Sequence, residues 1–328
     1  MEQNRDPASL ALAEVKRKIG DGALAGALTD LQGILAASPE NTEALYMQAV
    51  ARRYGGDPQG ALESLEQLKQ LSPSHGRAHQ EESHVYRDAG DAEAALRAYT
   101  RAIQLNPALQ ASLRGQLAAL QALGRQRAAI RAQSQLERLL RLPKPVVLAM
   151  DLVAENKLLK AEEVCRAFLQ QNPSHVEAMR LLADIGVRLG ILEDAEFLLE
   201  SAVDFEPENV EARMDYVQTL RKRQKFAAAL AQAEALLAKA PDNPQFRSLC
   251  AIQLMQTGDF DAALALLDEV LEAVPGDPTT LTTMGHALKT CGRSAEAVDA
   301  YREAIRHVPE HGEAYYSLAN LKTYRFSD

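Results

Sequence analysis

Eight prolines set the frame of this chain. Pro39, Pro73 and Pro107 stand 34 residues apart, and so do Pro173, Pro207, Pro241, Pro275 and Pro309. A chain broken at so short and constant a period cannot build one large core. It must build many like pieces, each packed on its neighbours. Residues 278–311 show the content of one piece: PTTLTTMGHALKTCGRSAEAVDAYREAIRHVPEH. Leu281, Met284, Gly285 and Leu288 share one face of a first helix. Gly292 ends that helix. Ala297, Tyr301 and Ala304 share one face of a second, and Pro309 breaks the chain before the next repeat.

Counting back from each proline places repeats at 8–41, 42–75, 76–109, 142–175, 176–209, 210–243, 244–277 and 278–311. Between Pro107 and Pro173 lie two residues fewer than two periods, which accommodates a degenerate repeat at about 110–141 and a clipped one after it. That makes nine repeats, with a further helix from Glu313 to about Phe326. One place in the second helix holds Ala27, Ala61, Ala95, Ala129, Ala161, Ala195, Ala229, Ala263 and Ala297. Alanine there allows close helix approach, where extra methylenes would overpack. The turn between helices holds Gly22, Gly56, Gly90, Gly124, Gly190, Gly258 and Gly292, which supply a left-handed helix end. Asn156 can adopt the same conformation; Gln224, at the equivalent place, has no evident reason. Asp277–Pro278 and Asn243–Pro244 read as an N-cap followed by proline at the first helical position, and Asn41 and Ser174 as further N-caps. The first repeat has polar Glu14 and Lys18 where later repeats are apolar, as suits an end cap.

A helix–turn–helix of this period resembles the tetratricopeptide repeat. The resemblance implies an all-α fold, an α-solenoid (right-handed superhelix) of about nine helix pairs plus a C-terminal helix, with first helices lining a concave groove. The stretch Arg141-Leu-Pro-Lys-Pro145 is the one irregularity, since two prolines in three residues cannot sit inside a helix. It divides the chain into an N-terminal array at 1–141, of four repeats with the last degenerate, and a C-terminal array at 142–328, of five repeats with the terminal helix. The two are read as one continuous solenoid, and the join as either a shortened repeat or a hinge.

Composition narrows the function. The chain is 47% hydrophobic but 5% aromatic, without Trp, which suits Ala- and Leu-rich helix pairs. A net charge of −9 argues against bulk nucleic-acid binding. Cys165, Cys250 and Cys291 are widely spaced with no C-x-x-C, so a disulfide framework or zinc site is not indicated and a reducing cytoplasm fits. Cys165 and Cys250 fall at core positions. The N-terminus lacks an apolar signal core, and no run is long enough to span a membrane. The usual metal, nucleophile and phosphate-loop motifs are missing, so neither catalysis nor a cofactor is expected of this chain. His79 and His84 are five apart, poor spacing for two ligands on one helix face. Glu82 occupies a normally apolar position, which suggests a local ion pair or a helix rotation.

Positions 2, 5, 9 and 12 of each repeat share a second face of the first helix. In the resembled family that face lines the groove. It reads Tyr46, Arg53, Gln80, His84, Arg87, Arg180, Asp184, Gln218, Arg221, His286, Lys289, Tyr316 and Asn320, and position 13 adds Arg188 and Lys222. Near the end of that helix six cations recur (Arg53, Arg87, Arg188, Arg221, Lys222, Lys289), opposed there by Asp88. The expected ligand is an acidic, extended peptide or protein segment held by guanidinium–carboxylate pairs. The competing explanation is that cations near a helix C-terminus are favoured by the macrodipole, by ~0.3–1 kcal/mol each. No asparagine ladder runs along the sixth positions. Lys16 and Asn320 lie too far apart for a clamp on a terminal carboxylate.

Two strings are more specific: Gly285-His-Ala-Leu-Lys-Thr290 and Gly312-Glu-Ala-Tyr-Tyr-Ser-Leu-Ala-Asn-Leu-Lys-Thr-Tyr-Arg-Phe326. With Ala78-His-Gln-Glu81 and His175-Val-Glu-Ala-Met-Arg-Leu-Leu-Ala183, they resemble the N-terminal region of bacterial TPR–sulfotransferase proteins. In that family a catalytic domain follows, with an R-S-G-[ST]-T-like loop for the donor's phosphates. No such loop occurs in this sequence. The resemblance implies a scaffold half that recruits a substrate or partner, with a C-terminal sulfotransferase domain in the native protein. The alternatives are a structural brace for that domain or a stand-alone cytosolic adaptor.

Overall fold

The computed structural model describes residues 7–321. Among them lie nineteen α-helices and no strand, an all-α solenoid of nine helix pairs and one further helix. The chain divides into two compact units, residues 1–170 and 171–328. The first holds α1 (Pro7–Gly20), α2 (Leu24–Ala37), α3 (Thr42–Tyr54), α4 (Pro58–Leu71), α5 (Gly76–Asp88), α6 (Ala92–Leu105), α7 (Gln110–Ala122), α8 (Gln126–Arg141), α9 (Lys144–Ala154) and nearly all of α10 (Leu158–Gln171). The second holds α11 (Val176–Leu189), α12 (Leu192–Phe205), α13 (Val210–Lys222), α14 (Phe226–Lys239), α15 (Pro244–Thr257), α16 (Phe260–Ala273), α17 (Pro278–Thr290), α18 (Ser294–His307) and α19 (Gly312–Ala319). Odd-numbered helices are first helices of a repeat and even-numbered ones are second. The start of the terminal string, Gly312–Leu321, is described, and Lys322–Phe326 lies outside the described residues.

All nine alanines of the second-helix register are buried. All nine turn positions have positive φ, including Asn156 at +57° and Gln224 at +59°. Gln224 therefore keeps the geometry that glycine gives its counterparts, and bears the steric cost of a Cβ in the left-handed region. Asn41, Asn243 and Asp277 cap α3, α15 and α17 by accepting from Ala44, Gln245 and Thr280 N–H. The cap of α11 is His175 rather than Ser174, its Nδ1 accepting from Ala178 N–H at 3.2 Å. His75 caps α5 in the same way at 3.1 Å. An imidazole does this only while Nδ1 is unprotonated, and burial holds His75 below its ordinary pKa.

The core is a string of small clusters between neighbouring helices. Leu45 and Ala49 of α3 meet Leu65 and Leu68 of α4 and Ala78 of α5. Leu281 and Leu288 of α17 meet Tyr301 and Ala304 of α18 and Leu318 of α19. Tyr99 and Tyr301 are the largest fully buried side chains. Each lies against a glycine, Gly115 and Gly285, where a Cβ would overlap its ring. Leu318 and Leu321 pack into the α17–α18 cluster. The large side chains with apolar surface that α19 leaves exposed are Tyr315 and Tyr316.

The Pro143–Pro145 join lies inside the first unit and redirects the chain. Arg77, at the start of α5, donates to Asp151 at 2.5 Å and to Glu155 at 2.9 Å, at the far end of α9. Asn106, before α7, donates to the other oxygen of Asp151 at 2.7 Å. Val147 and Met150 pack on Ile103, Leu113 and Leu136. The clipped helix α9 is thus tied back to helices two repeats earlier, by charge pairs that are one-fifth to one-third exposed.

Candidate peptide-binding face on the first helices

Among the residues expected to line the groove of the first unit, several are engaged with their own chain. Tyr46 is half-buried, its ring 5.7 Å from that of His75, and burial followed by the Glu81 charge raises its hydroxyl far above the ordinary value. Arg53 is 11% exposed and its Nε donates to Glu81 at 2.9 Å; Asp88 lies 3.5 Å from the guanidinium and the Tyr54 ring 4.3 Å. Burial raises the Glu81 carboxyl above its usual range, with Arg53 working against that shift. Arg87 donates twice to Asp88, at 3.0 and 2.7 Å. Gln80 is buried between α5 and α7, its Oε1 accepting from the Ser112 hydroxyl at 3.0 Å, so it offers nothing to an open surface. Glu82 forms the local ion pair its position suggests, with Lys69 at 2.9 Å and His79 at 3.3 Å.

His84 and His286 occupy the same position in their repeats and share one arrangement. His84 Nδ1 lies 3.0 Å from the Tyr99 hydroxyl and 3.3 Å from an Arg87 N–H donor. His286 Nδ1 lies 2.9 Å from the Tyr301 hydroxyl, and its Nε2 faces Glu313 at 3.5 Å. Two donors converge on Nδ1 of His84, so its proton belongs on Nε2. Burial, with Arg87 and Arg53 adding repulsion, pushes His84 down to about 4. It is a neutral element of the helix contact at pH 7 rather than a cation.

In the second unit a smaller share of these cations has an acidic neighbour among the described residues. Arg180 donates to Asp215 at 2.7 Å and to Glu177 at 3.0 Å, linking α11 to α13. Burial raises Asp215 above its ordinary value, opposed by Arg180. Asp184 pairs with Arg188 one turn on, at 2.9 Å. Arg221 donates to Gln218 at 2.9 Å. Arg221, Lys222 and Lys289 have no carboxylate partner among the described residues, and Lys222 and Lys289 are exposed. Tyr316 is 72% exposed, and Asn320 donates to the Tyr316 carbonyl at 2.9 Å. The uncompensated cations of the six therefore sit on α13 and α17. The intervening α15 presents Met255 and Gln256 at the corresponding positions. Sequence spacing located the cations. It missed Glu81 as the partner of Arg53, which follows from a contact between helices, and it placed Asp184 on the same face without its i, i+4 pairing to Arg188.

Tetratricopeptide-repeat models match residues 43–75, 76–109 and 146–210, and a model described as the Psidin N-terminal TPR repeats region matches 218–322. The chain is 23% identical over 192 residues to the Bos taurus BBSome complex member BBS4, covering 57% of this chain and 37% of that protein. It is 32% identical over 112 residues to a probable UDP-N-acetylglucosamine–peptide N-acetylglucosaminyltransferase SPINDLY of Solanum lycopersicum, covering 33% of this chain and 12% of that one. The chain thus spans little more than a third of one curated relative and about an eighth of the other. Among solved structures, YrrB, a TPR protein with an unusual peptide-binding site, is 20% identical with a TM-score of 0.46, covering 53% of this chain and 89% of that one. MamA from Desulfovibrio magneticus RS-1 is 12% identical with a TM-score of 0.47, covering 52% of this chain and 98% of that one. Period, turn geometry, buried alanine register and matched models agree that this chain is built of tetratricopeptide repeats, a protein-interaction architecture.

Proposed function

We propose that the chain is a non-catalytic scaffold that holds an acidic, extended peptide or protein segment against the first helices of its second unit. The carrying observation is that, among the described residues, Arg221, Lys222 and Lys289 lack carboxylate partners on a face where Arg180 and Arg188 have them. An unpaired guanidinium binds a carboxylate bidentately, and clustered cations steer acidic chains towards them. Gln218, His286, Tyr316 and Asn320 add hydrogen-bonding and aromatic surface along the same helices. In the first unit Arg53 and Arg87 are already satisfied and contribute less. The reading is tested by titrating an Asp/Glu-rich peptide library against the chain. Arg221→Glu with Lys222→Glu and Lys289→Glu should abolish binding, and Arg87→Glu should leave most of it. Equal losses from the two sets would contradict the assignment to the second unit.

The resemblance to TPR–sulfotransferase proteins extends this reading. The ligand is then a segment of a sulfate acceptor, and the array serves a sulfotransferase domain. Its support is the pair of strings at 285–290 and 312–326, the second only partly within the described residues. Intact mass and sulfotransferase activity of the protein from its source test this. A reducing cytoplasmic setting is supported by the unpaired, buried thiols of Cys165 and Cys250, which burial pushes up to about 12 and about 11.

A further inference from the structure

Charge is unevenly spread along the chain. Residues 97–144 carry nine Lys and Arg against one acid, Glu137, in a protein of net charge −9. Residues 189–212 carry eight acids and no base. The fold gathers part of the first stretch into a cleft of about 580 Å³ bounded by α6, α7 and α8. Leu120 and Ala132 are buried in its floor, and Arg97, Arg101, Arg125 and Arg131 stand around it, all exposed. Arg125 donates to Glu93 at 2.6 Å and Arg101 reaches Gln104 at 3.4 Å. Arg97 and Arg131 have no acidic partner among the described residues. Like charges around an apolar floor repel one another until an anion enters. Because α6 and α8 are second helices, this cleft is separate from the peptide face proposed above.

The acidic stretch has a complementary surface. Helical geometry places Phe197, Glu200, Asp204 and Phe205 on one side of α12, while Ala195, Leu199 and Ala202 on the other are buried. Phe197 is 68% exposed and Phe205 54%. Glu200 and Asp204 have no cationic partner among the described residues and are both exposed. Exposed aromatics edged by charge mark protein interfaces. Glu200 and Asp204 are one helical turn apart, as are Arg97 and Arg101, so each pair spans about 6 Å of helix rise. The apolar parts also correspond, two phenylalanines against a floor of leucine and alanine.

We propose that α12 of one copy of this chain docks in the α6–α8 cleft of a second copy. Glu200 and Asp204 meet the arginines of the rim, and Phe197 and Phe205 cover the floor. The two surfaces differ, so the contact is head-to-tail and propagates into rings or filaments. Sedimentation of the full chain tests it. In about 50 mM salt the weight-average mass should rise with concentration above 35.8 kDa, and in about 1 M salt, where the Debye length is about 3 Å, it should fall back. Arg97→Glu with Arg101→Glu removes only the cleft, and Phe197→Ser with Phe205→Ser removes only the insert. All four side chains but none of the core packing are touched, and unchanged thermal unfolding would verify that. Each variant alone should stay monomeric, with association weakened at least tenfold. An equimolar mixture keeps one working α12 and one working cleft, so it should stop at the heterodimer. A wild type that is monomeric at every concentration overturns the proposal, as does association that either variant leaves intact or a mixture that grows past two chains. A monomer that instead uses these arginines to retain nucleic acid or anionic vesicles overturns it too.

Discussion

Arg53 shows at the residue scale why a cation on a groove face need not be a ligand site. Its pair with Glu81 is 11% and 8% exposed, and removing one partner of such a pair leaves the other buried and uncompensated. Arg53→Ala should therefore destabilise the chain by about 3–5 kcal/mol in urea unfolding, whereas Arg53→Met combined with Glu81→Leu should recover most of the loss. A full-sized loss in the double variant would contradict this account. Gln224 gives the opposite sign. It holds φ +59° with a Cβ, so Gln224→Gly should stabilise the chain by about 1 kcal/mol. The sequence marked position 224 as a turn by register alone. Glycine is dispensable there because the turn is held by its own hydrogen bonds, Gln224 N–H to the Arg221 carbonyl and Lys225 N–H to the Leu220 carbonyl, both at 2.9 Å, which a single-residue preference does not outweigh. His175 was hidden for a related reason. Histidine is not among the usual N-cap residues, and it serves here because its neutral Nδ1 can accept an N–H.

Helices of the first unit carry a pH dependence. His84 has a folded-state pKa near 4 against an ordinary value of 6.5, so the unfolded chain binds more protons between those values. Its contribution is fully present above about pH 6.5 and is lost as pH falls towards 4. Thermal unfolding of the first-unit helices should shift to lower temperature across that window. The shift should shrink in His84→Gln, which cannot be protonated; an unchanged profile in that variant would assign the effect elsewhere. Helix α9 makes a second prediction. If Arg77 ties it back through Asp151 and Glu155, Arg77→Ala should raise amide hydrogen exchange over 144–154 at least tenfold and leave α3 and α4 unchanged. Exchange that stays slow would mean that Val147 and Met150 hold the helix alone. Repeat boundaries, turns and the alanine register were readable from spacing, because they recur every 34 residues. The fold-back of α9 was not, since it depends on contacts between residues 74 and 78 apart, at the one place where the period fails.

For the whole molecule, periodicity reveals architecture more readily than ligand. Nine repeats specify nine similar faces, and the differences among them come from which cations happen to have acids within reach. Among the described residues, Arg53, Arg87, Arg180 and Arg188 do, while Arg221, Lys222 and Lys289 do not. The uneven charge between residues 97–144 and 189–212 lies outside the repeat register altogether, so an alignment of equivalent positions passes over it. The most direct test of the scaffold reading is fluorescence anisotropy of a labelled Asp/Glu-rich peptide with the wild-type chain and with the Arg221→Glu, Lys222→Glu, Lys289→Glu variant. The account predicts saturable binding that weakens at least tenfold in the variant and with added salt. Binding of equal strength in both proteins, or no preference for the acidic peptide over its Asn/Gln counterpart, would contradict it.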